Sequence, residues 1–297
     1  MFANFRQYLH SQGRSPHTIR SYLSDLLQFA RWFRQTNGED PLPERVTAID
    51  VREYRQYMLD VQRLKASTIN RRLAALSVYL EWGKASGRIL DNPASDVRGV
   101  RQQGIAPRWL DKRAQGRLER AAERAAAAAR TLPARRLALR DLALLRLMLN
   151  TGLRAGEVCA LRVDDVTLGE RSGKVRVRAG KGNKAREVPL NRVARKALTA
   201  WLGVRPETPD ETALFVGQGG EAFTTSALRR RIAILARRAG VDASPHVPRH
   251  TFGKRLVDSG VSLEKVAALL GHANLNTTRL YVAPGEQDLR QAVETLE

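Results

Sequence analysis

A single cysteine among 297 residues leaves Cys159 no internal disulfide partner and supplies no metal cluster. It lies in "RAGEVCALRV", where a buried helical thiol is the expected reading rather than a reactive one. No apolar run approaches the roughly 20 residues that a membrane helix needs. No basic segment followed by an apolar core opens the chain, so no secretion signal is expected and the expected compartment is the cytoplasm. Acidic residues are the minority charge: 30 Asp+Glu stand against 51 Lys+Arg, a formal net charge of +21. Solubility needs far less. The excess implies a polyanionic partner, nucleic acid first and an anionic membrane surface second. The excess is also uneven, with 15 basic and 10 acidic residues in 1–98 against 36 and 20 in the remainder. Most of the polyanion contact is therefore expected from the second part.

What is present is ample apolar material, 43% of the chain, in a length that suggests two domains. Residues 1–98 read as a bundle of about four helices. In "SPHTIRSYLSDLLQFARWFRQ" Ser15 is a cap and Pro16 the first helical residue. Ile19, Tyr22, Leu23, Leu26, Leu27, Phe29 and Phe33 fall mostly on one stripe of that helix. "TAIDVREYRQYMLDVQ" opens with a capping-box variant, and a further helix is expected to start at Ser67 and end near Gly87. The Pro/Gly-punctuated, basic stretch 91–110 reads as the interdomain connection, with the linker proper at 99–109 and a second domain at 110–297. Beyond it the chain reads as an Ala/Arg-rich helix, then two helices around the turn Thr151-Gly152. In "KVRVRAGKGNKAREVPL" alternating valines flank a Gly-rich turn, the pattern of a β-hairpin. A capped basic helix follows in "FTTSALRRRIAILARRAGV", then more helix to Gly271 and a short amphipathic one at 286–296. The expected fold is thus mainly α: an N-terminal helical bundle plus a mainly helical second domain with a small antiparallel β-sheet.

Six polar residues stand out in the second domain: Arg154, Lys181, His246, Arg249, His272 and Tyr281. Singly, each has an ordinary reading as a surface arginine, a turn lysine, a helix-end histidine or a core phenol. The window "GVSLEKVAALLGHANLNTTRLYV" by itself also fits a helix-turn-helix, which would make a DNA-binding regulator without chemistry. The set argues otherwise. "TGLRAGEV", "GKGNKAREVPL", "PHVPRHTF" and "LLGHANLNTTRLYV", in this order, resemble the tyrosine recombinase (phage integrase) family, most closely its Xer-like branch. The specific part is the spacing: three residues from His246 to Arg249, twenty-three on to His272 and nine on to Tyr281. The resemblance covers nearly the whole chain and is strongest over about 140–284, while the N-terminal helices resemble the family's core-binding domain.

The resemblance implies that Tyr281 attacks a DNA phosphate to leave a 3′-phosphotyrosine and a free 5′-hydroxyl. Such a bond conserves the phosphodiester's energy, so rejoining needs no ATP, and strand exchange divides into two reversible steps. Two planar guanidiniums, Arg154 and Arg249, suit bidentate contact with the non-bridging oxygens. His246 and His272 add hydrogen bonds to the phosphate, and His246 is also able to take the tyrosine proton. Lys181, on the hairpin, matches the family's general acid for the leaving 5′-oxygen. Neighbouring cations are expected to lower the proton affinity of Lys181 and Tyr281. Glu157, one turn after Arg154, matches the carboxylate that orients active-site side chains, with an exposed helix glutamate as the alternative. No cofactor and no metal are implied, because the cations take the part Mg²⁺ plays in other phosphoryl-transfer enzymes.

The resemblance further implies two domains that clamp a duplex target carrying inverted repeats. Ser226, Arg229, Arg230 and Arg231 are the expected DNA contacts of the second domain, and Ser67, Thr68, Arg71 and Arg72 those of the first. It also implies a tetramer on two DNA sites that exchanges its C-terminal helix, whose Leu289, Ala292, Val293 and Leu296 share one face; packing on its own domain is the alternative. No membrane partner is implied. Pro248 departs from the family's aliphatic residue between His246 and Arg249, and the Ala-rich 121–133 looks like a local insertion. A topoisomerase-like enzyme that nicks and rejoins one duplex would use the same residues and stays open alongside the regulator.

Overall fold

The computed structural model describes residues 2–101, 108–178, 185–207, 212–272, 274–282 and 293–294. The chain divides into two compact units, Met1–Ile105 and Ala106–Glu297.

The first unit is built from helices α1 (Ala3–Ser11), α2 (Pro16–Asn37), α3 (Ala48–Asp60) and α4 (Ala66–Ala85). Local chemistry sets their ends. Ser15 accepts a hydrogen bond from the Thr18 amide with Pro16 behind it, and Gly38 closes α2 at φ +73°. Thr47 and Asp50 form a reciprocal capping box on α3. The expected start of α4 at Ser67 is corrected: Lys65 precedes the first helical residue and Ser67 lies inside the first turn. Phe5, Leu9, Leu26, Phe29, Phe33, Tyr54, Met58, Ile69 and Leu76 fill the core. Leu27, expected on the apolar stripe of α2, is instead 56% exposed; it follows Leu26 by about 100° round the helix, which carries it over the edge. After α4 the chain stays with this unit as far as Val100. Asn70 binds both the amide and the carbonyl of Val100, and a side chain on Gly99 would collide with Asn70.

The second unit opens with α5 (Lys112–Ala127), capped by Asp111, and α6 (Leu132–Thr151), capped by Thr131. The Ala-rich stretch therefore ends one helix and, past Thr131, begins another. A short α7 (Ala155–Ala160) leads into a three-stranded antiparallel sheet, β1 (Val166–Leu168), β2 (Gly173–Val177) and β3 (Arg186–Pro189), in the order β1-β2-β3. Val175 pairs with Val166 on one side and Val188 on the other, so the alternating valines face one core. The hairpin β2–β3 follows the pattern of alternation, whereas three-residue β1 had too little alternation to show. Helices α8 (Arg192–Leu202), α9 (Thr225–Ala239), α10 (His246–Asp258), α11 (Leu263–Leu270) and α12 (Asn276–Arg279) complete the unit. Leu145, Leu147, Leu149, Val158, Leu198, Trp201 and Phe215 are buried in its core. A smaller cluster of Phe252, Val266, Leu270 and Tyr281 brings α10, α11 and the residues after α12 together. Cys159 is packed against the main core, and burial pushes its thiol up to about 11, the inert state expected of it. Among the described residues no helix is long and apolar enough to cross a membrane.

The turn after α6 carries the greatest conformational demand. Gly152 sits at φ +64°, and a Cβ there would meet Phe252 at 2.5 Å and Leu270 at 2.6 Å. Gly152→Ala combines a left-handed backbone with overpacking, and should destabilise the second unit by about 2–5 kcal/mol. Urea unfolding measures this, and a loss under about 0.5 kcal/mol would refute the packing account.

Candidate active site

Four chain segments converge on one basic cluster: the α6–α7 turn, the start of β3, the first two turns of α10, and residues from the end of α11 to Val282. The turn supplies Arg154, which stands immediately before α7. Its amide and guanidinium both donate to Glu157, at 2.8 and 2.9 Å, while Nη2 donates to the Gly271 carbonyl at 3.2 Å. Glu157 is buried, so the orienting reading of this residue fits the structure and the exposed-glutamate alternative does not. Burial raises its proton affinity, but hydrogen bonds from Arg186 and Arg154 outweigh that and hold it below the usual carboxylate range.

Arg186 is a residue that sequence reasoning passed over, although it lies within "GKGNKAREVPL". It grips Glu157 with two parallel bonds, Nη1 to Oε1 at 3.0 Å and Nη2 to Oε2 at 2.8 Å, and donates from Nε to the Leu269 carbonyl. Gly271, at φ +66°, leaves room for this guanidinium, since a Cβ would approach it to 2.8 Å.

Arg249 is 5% exposed and has no bond to a carboxylate among the described residues. It donates instead to the Gly152 carbonyl at 2.6 Å and the Leu270 carbonyl at 2.9 Å, at the C-terminal ends of α6 and α11. Those ends carry partial negative charge, which offsets part of the cost of burying a cation. Burial and the neighbouring Arg154 bring the Arg249 guanidinium down to about 10, still charged at neutral pH. Pro248 is accommodated because α10 begins at His246, which puts the proline in the first turn where its missing N–H costs nothing. His246 is the exposed first residue of that helix.

Tyr281 is 2% exposed. Its ring lies against Gly253, whose absent side chain makes the slot: a Cβ would stand 2.8 Å from two ring carbons. His272 stacks nearly parallel to the phenol, 6.4 Å between centroids, and its Nδ1 is 2.8 Å from the hydroxyl of buried Thr278. The Tyr281 hydroxyl is 3.0 Å from Nδ1 of His250, another residue the sequence reading left unused although it lies in "PHVPRH". The expected drop in tyrosine proton affinity is reversed: burial raises it, and Arg249 and Arg154 counter only in part. His272 is pushed down to about 4, first by burial and then by the surrounding arginines, so it is a neutral hydrogen-bonding ring. Lys181 lies outside the described residues.

Of the expected DNA contacts, Ser226, Arg229 and Arg230 are exposed on α9. Arg231 is turned inward, its Nε 2.5 Å from Asp141, whose other oxygen accepts from buried Arg140. On α4, Ser67 is exposed and Thr68 half-buried. Arg71 pairs with Asp25 and with Ser21, and Arg72 donates to Gln62. No group of three or more metal-ligating side chains occurs among the described residues. The helix-turn-helix alternative meets a physical obstacle: α12 has four residues, too short for a recognition helix, and delivers Tyr281 to the interior.

Residues 118–288 match the phage integrase family, and residues 2–87 match the phage integrase N-terminal SAM-like domain. The chain belongs to the phage integrase family. It is 33% identical to tyrosine recombinase XerC of Alcanivorax borkumensis, with 98% of this chain and 91% of that one covered. It is 35% identical to tyrosine recombinase XerC of Chromohalobacter salexigens, covering 99% and 95%. The fold is similar to that of XerH recombinase bound to a palindromic difH substrate, with a TM-score of 0.75, 23% identity, and 93% and 78% covered. It also resembles XerA recombinase, with a TM-score of 0.55, 25% identity, and 100% and 97% covered. The activity that goes with this membership is that of an Xer-like tyrosine recombinase, an enzyme that breaks and rejoins DNA strands.

The His272 environment has a measurable consequence. Its folded value of about 4 lies below the ordinary 6.5, so the unfolded chain takes up a proton that the folded chain refuses. The stability this provides is complete above about pH 6.5 and is lost as pH falls towards 4. His250, also lowered by burial and by His246 and Arg249, acts in the same direction. His272→Asn should show a shallower loss of unfolding free energy between pH 6.5 and 4 than the wild type in urea titrations. An unchanged slope would exclude His272 as a contributor.

Proposed function

We propose that this recombinase cleaves DNA through Tyr281, forming a 3′-phosphotyrosyl bond to one strand and releasing a 5′-hydroxyl. The observation that carries the reading is the placement of a buried phenol against a cluster of guanidiniums with too few carboxylates to neutralise it. Arg154, Arg186 and Arg249 surround Glu157, so the site is electrostatically completed by an anion such as a phosphodiester. Arg154 and Arg249 bind the non-bridging oxygens with the N–H groups that the protein carbonyls do not use. His246 and His272 add hydrogen bonds, His272 as a neutral ring. Glu157 fixes the direction of Arg154. Lys181, which falls between β2 and β3 in the sequence, protonates the departing 5′-oxygen.

The relatives suggest the setting. XerH recombinase is bound to a palindromic difH site, and an inverted-repeat duplex is the target proposed here. The first unit and the second both contact that duplex, with Ser226, Arg229 and Arg230 and the α4 residues Ser67, Thr68, Arg71 and Arg72 on it. Arg231 is left out of this set because Asp141 holds it. Four protomers on two sites exchange the segment 286–296. Exposed Val293 supports that exchange, since it needs a covering surface. An enzyme acting on such DNA works in the cytoplasm.

On nicked suicide substrates the wild type should accumulate a covalent protein–DNA adduct and join it to a different strand. Tyr281→Phe should bind the same DNA within about twofold and form no adduct; adducts from that variant on denaturing gels would remove Tyr281 as nucleophile.

Lys181 has a separate test. Lys181→Ala should slow cleavage of ordinary DNA within the 10²–10⁴-fold range of about one lost general acid. It should approach wild-type cleavage when the 5′-oxygen is replaced by sulfur, which leaves without a proton. Rescue of Lys184→Ala instead would show that the neighbouring lysine is the acid.

A further inference from the structure

The nucleophile needs somewhere to put its proton. The residue named for that task on resemblance, His246, is the exposed first residue of α10, whereas the Tyr281 hydroxyl is already engaged by a different ring one turn further along. We infer that His250 is a catalytic residue of this recombinase, the general base that takes the Tyr281 proton through Nδ1 as the phenolate oxygen attacks phosphorus. The inference rests on Tyr281 being the nucleophile.

Geometry carries it. Nδ1 lies 3.0 Å from Oη, within direct proton-transfer reach, and the two rings are tilted at 52° with centroids 5.8 Å apart. The phenol cannot easily swing away from this contact, because Gly253 forms the floor of its slot and His272 stacks on its face. His250 sits on α10 next to Arg249, so the base and the phosphate-binding guanidinium are one residue apart on one rigid helix. Nδ1 is free to accept only when the ring is neutral with its proton on Nε2. Burial, His246 and Arg249 all favour that neutral form. Other groups face the ring as well: Tyr281 itself, and His272 at the end of α11. Burial of Tyr281 makes a partner necessary, since an isolated buried phenol holds its proton more tightly than one in water.

The step balances. The Oη–H bond breaks and its proton moves to Nδ1, leaving an imidazolium. The Oη–P bond forms and the P–O5′ bond breaks. The 5′-oxygen receives its proton from the acid assigned above to Lys181. In the return direction the imidazolium gives the proton back to Oη as the incoming 5′-hydroxyl displaces it. A single group thus serves cleavage and rejoining.

The test uses the full chain and single-turnover cleavage of suicide DNA, with binding followed by gel shift. His250→Ala should bind DNA within about twofold of wild type yet cleave about 10²–10⁴-fold more slowly. Replacing the 5′-oxygen by sulfur should not relieve it, because the defect is on the nucleophile's side, which separates it from Lys181→Ala. Added free imidazole should restore part of the rate in proportion to its unprotonated fraction. His250→Asn, whose Oδ1 is bonded to Cγ as Nδ1 is, can accept the same hydrogen bond but not a proton. It should remain slow and lose the acid-side decline of rate with falling pH that the wild type shows. Wild-type cleavage by either variant overturns the assignment, as does recovery by asparagine without response to imidazole, which would make His250 a positioning residue only. If His250→Ala fails to fold, His250→Asn decides alone. Adduct formation by Tyr281→Phe would defeat the reading of the site, whereas fast cleavage by the His250 variants defeats only this inference.

Discussion

The site depends on burying positive charge without burying an equal amount of negative charge. Arg154, Arg186 and Arg249 are drawn together, and Glu157 is the one carboxylate that the described structure places among them. Removing a guanidinium from water costs several kcal/mol unless its donors find partners. The chain meets this by aiming main-chain carbonyls at the cations: Gly152, Leu269, Leu270 and Gly271 each accept from one of the three. These carbonyls reduce the desolvation penalty but cannot neutralise the charge. What remains is a positive potential fixed before any DNA arrives, the arrangement most effective for a transition state that gains negative charge.

Much of this was legible in residue order. The motif series named Arg154, Arg249, His272 and Tyr281, which the fold brings together, and His246, which it leaves exposed at the start of α10; the caps at Ser15 and Thr47 gave helix starts because capping is local chemistry. The residues missed share a cause. Arg186 lies 29 positions from Glu157 and His250 lies 31 from Tyr281, so their partners are set only when β3 meets α7 and α10 meets the end of the chain. Gly253 looks like an indifferent helix glycine until the Tyr281 ring is seen against it. The error over tyrosine proton affinity has the same origin. Sequence lists the cations nearby, but burial, the larger effect here, is a tertiary property. Of the remaining misses, length explains β1, which has only three residues, but not α8, an eleven-residue helix opened by the Asn191 cap that was there to be read.

Arg231 shows how tertiary context sorts a uniform run. Three consecutive arginines in "RRR" are equivalent to the eye, yet Asp141 on α6 claims the third while Arg229 and Arg230 stay exposed. Asp141 is in turn held by Arg140, which also lies 4.2 Å over the Phe223 ring. The run is therefore two surface cations and one structural tie from α9 to Asp141 on α6.

Main-chain acceptors have a property side chains lack: no amino-acid substitution deletes a carbonyl. The residues along α6 and α11 can drift in identity and the cradle for Arg249 persists as long as the helices end where they do. The vulnerability is concentrated at Gly152 and Gly271, whose positive φ sets those endings. The arginine cluster is in that sense held by backbone shape, with two glycines as its punctuation.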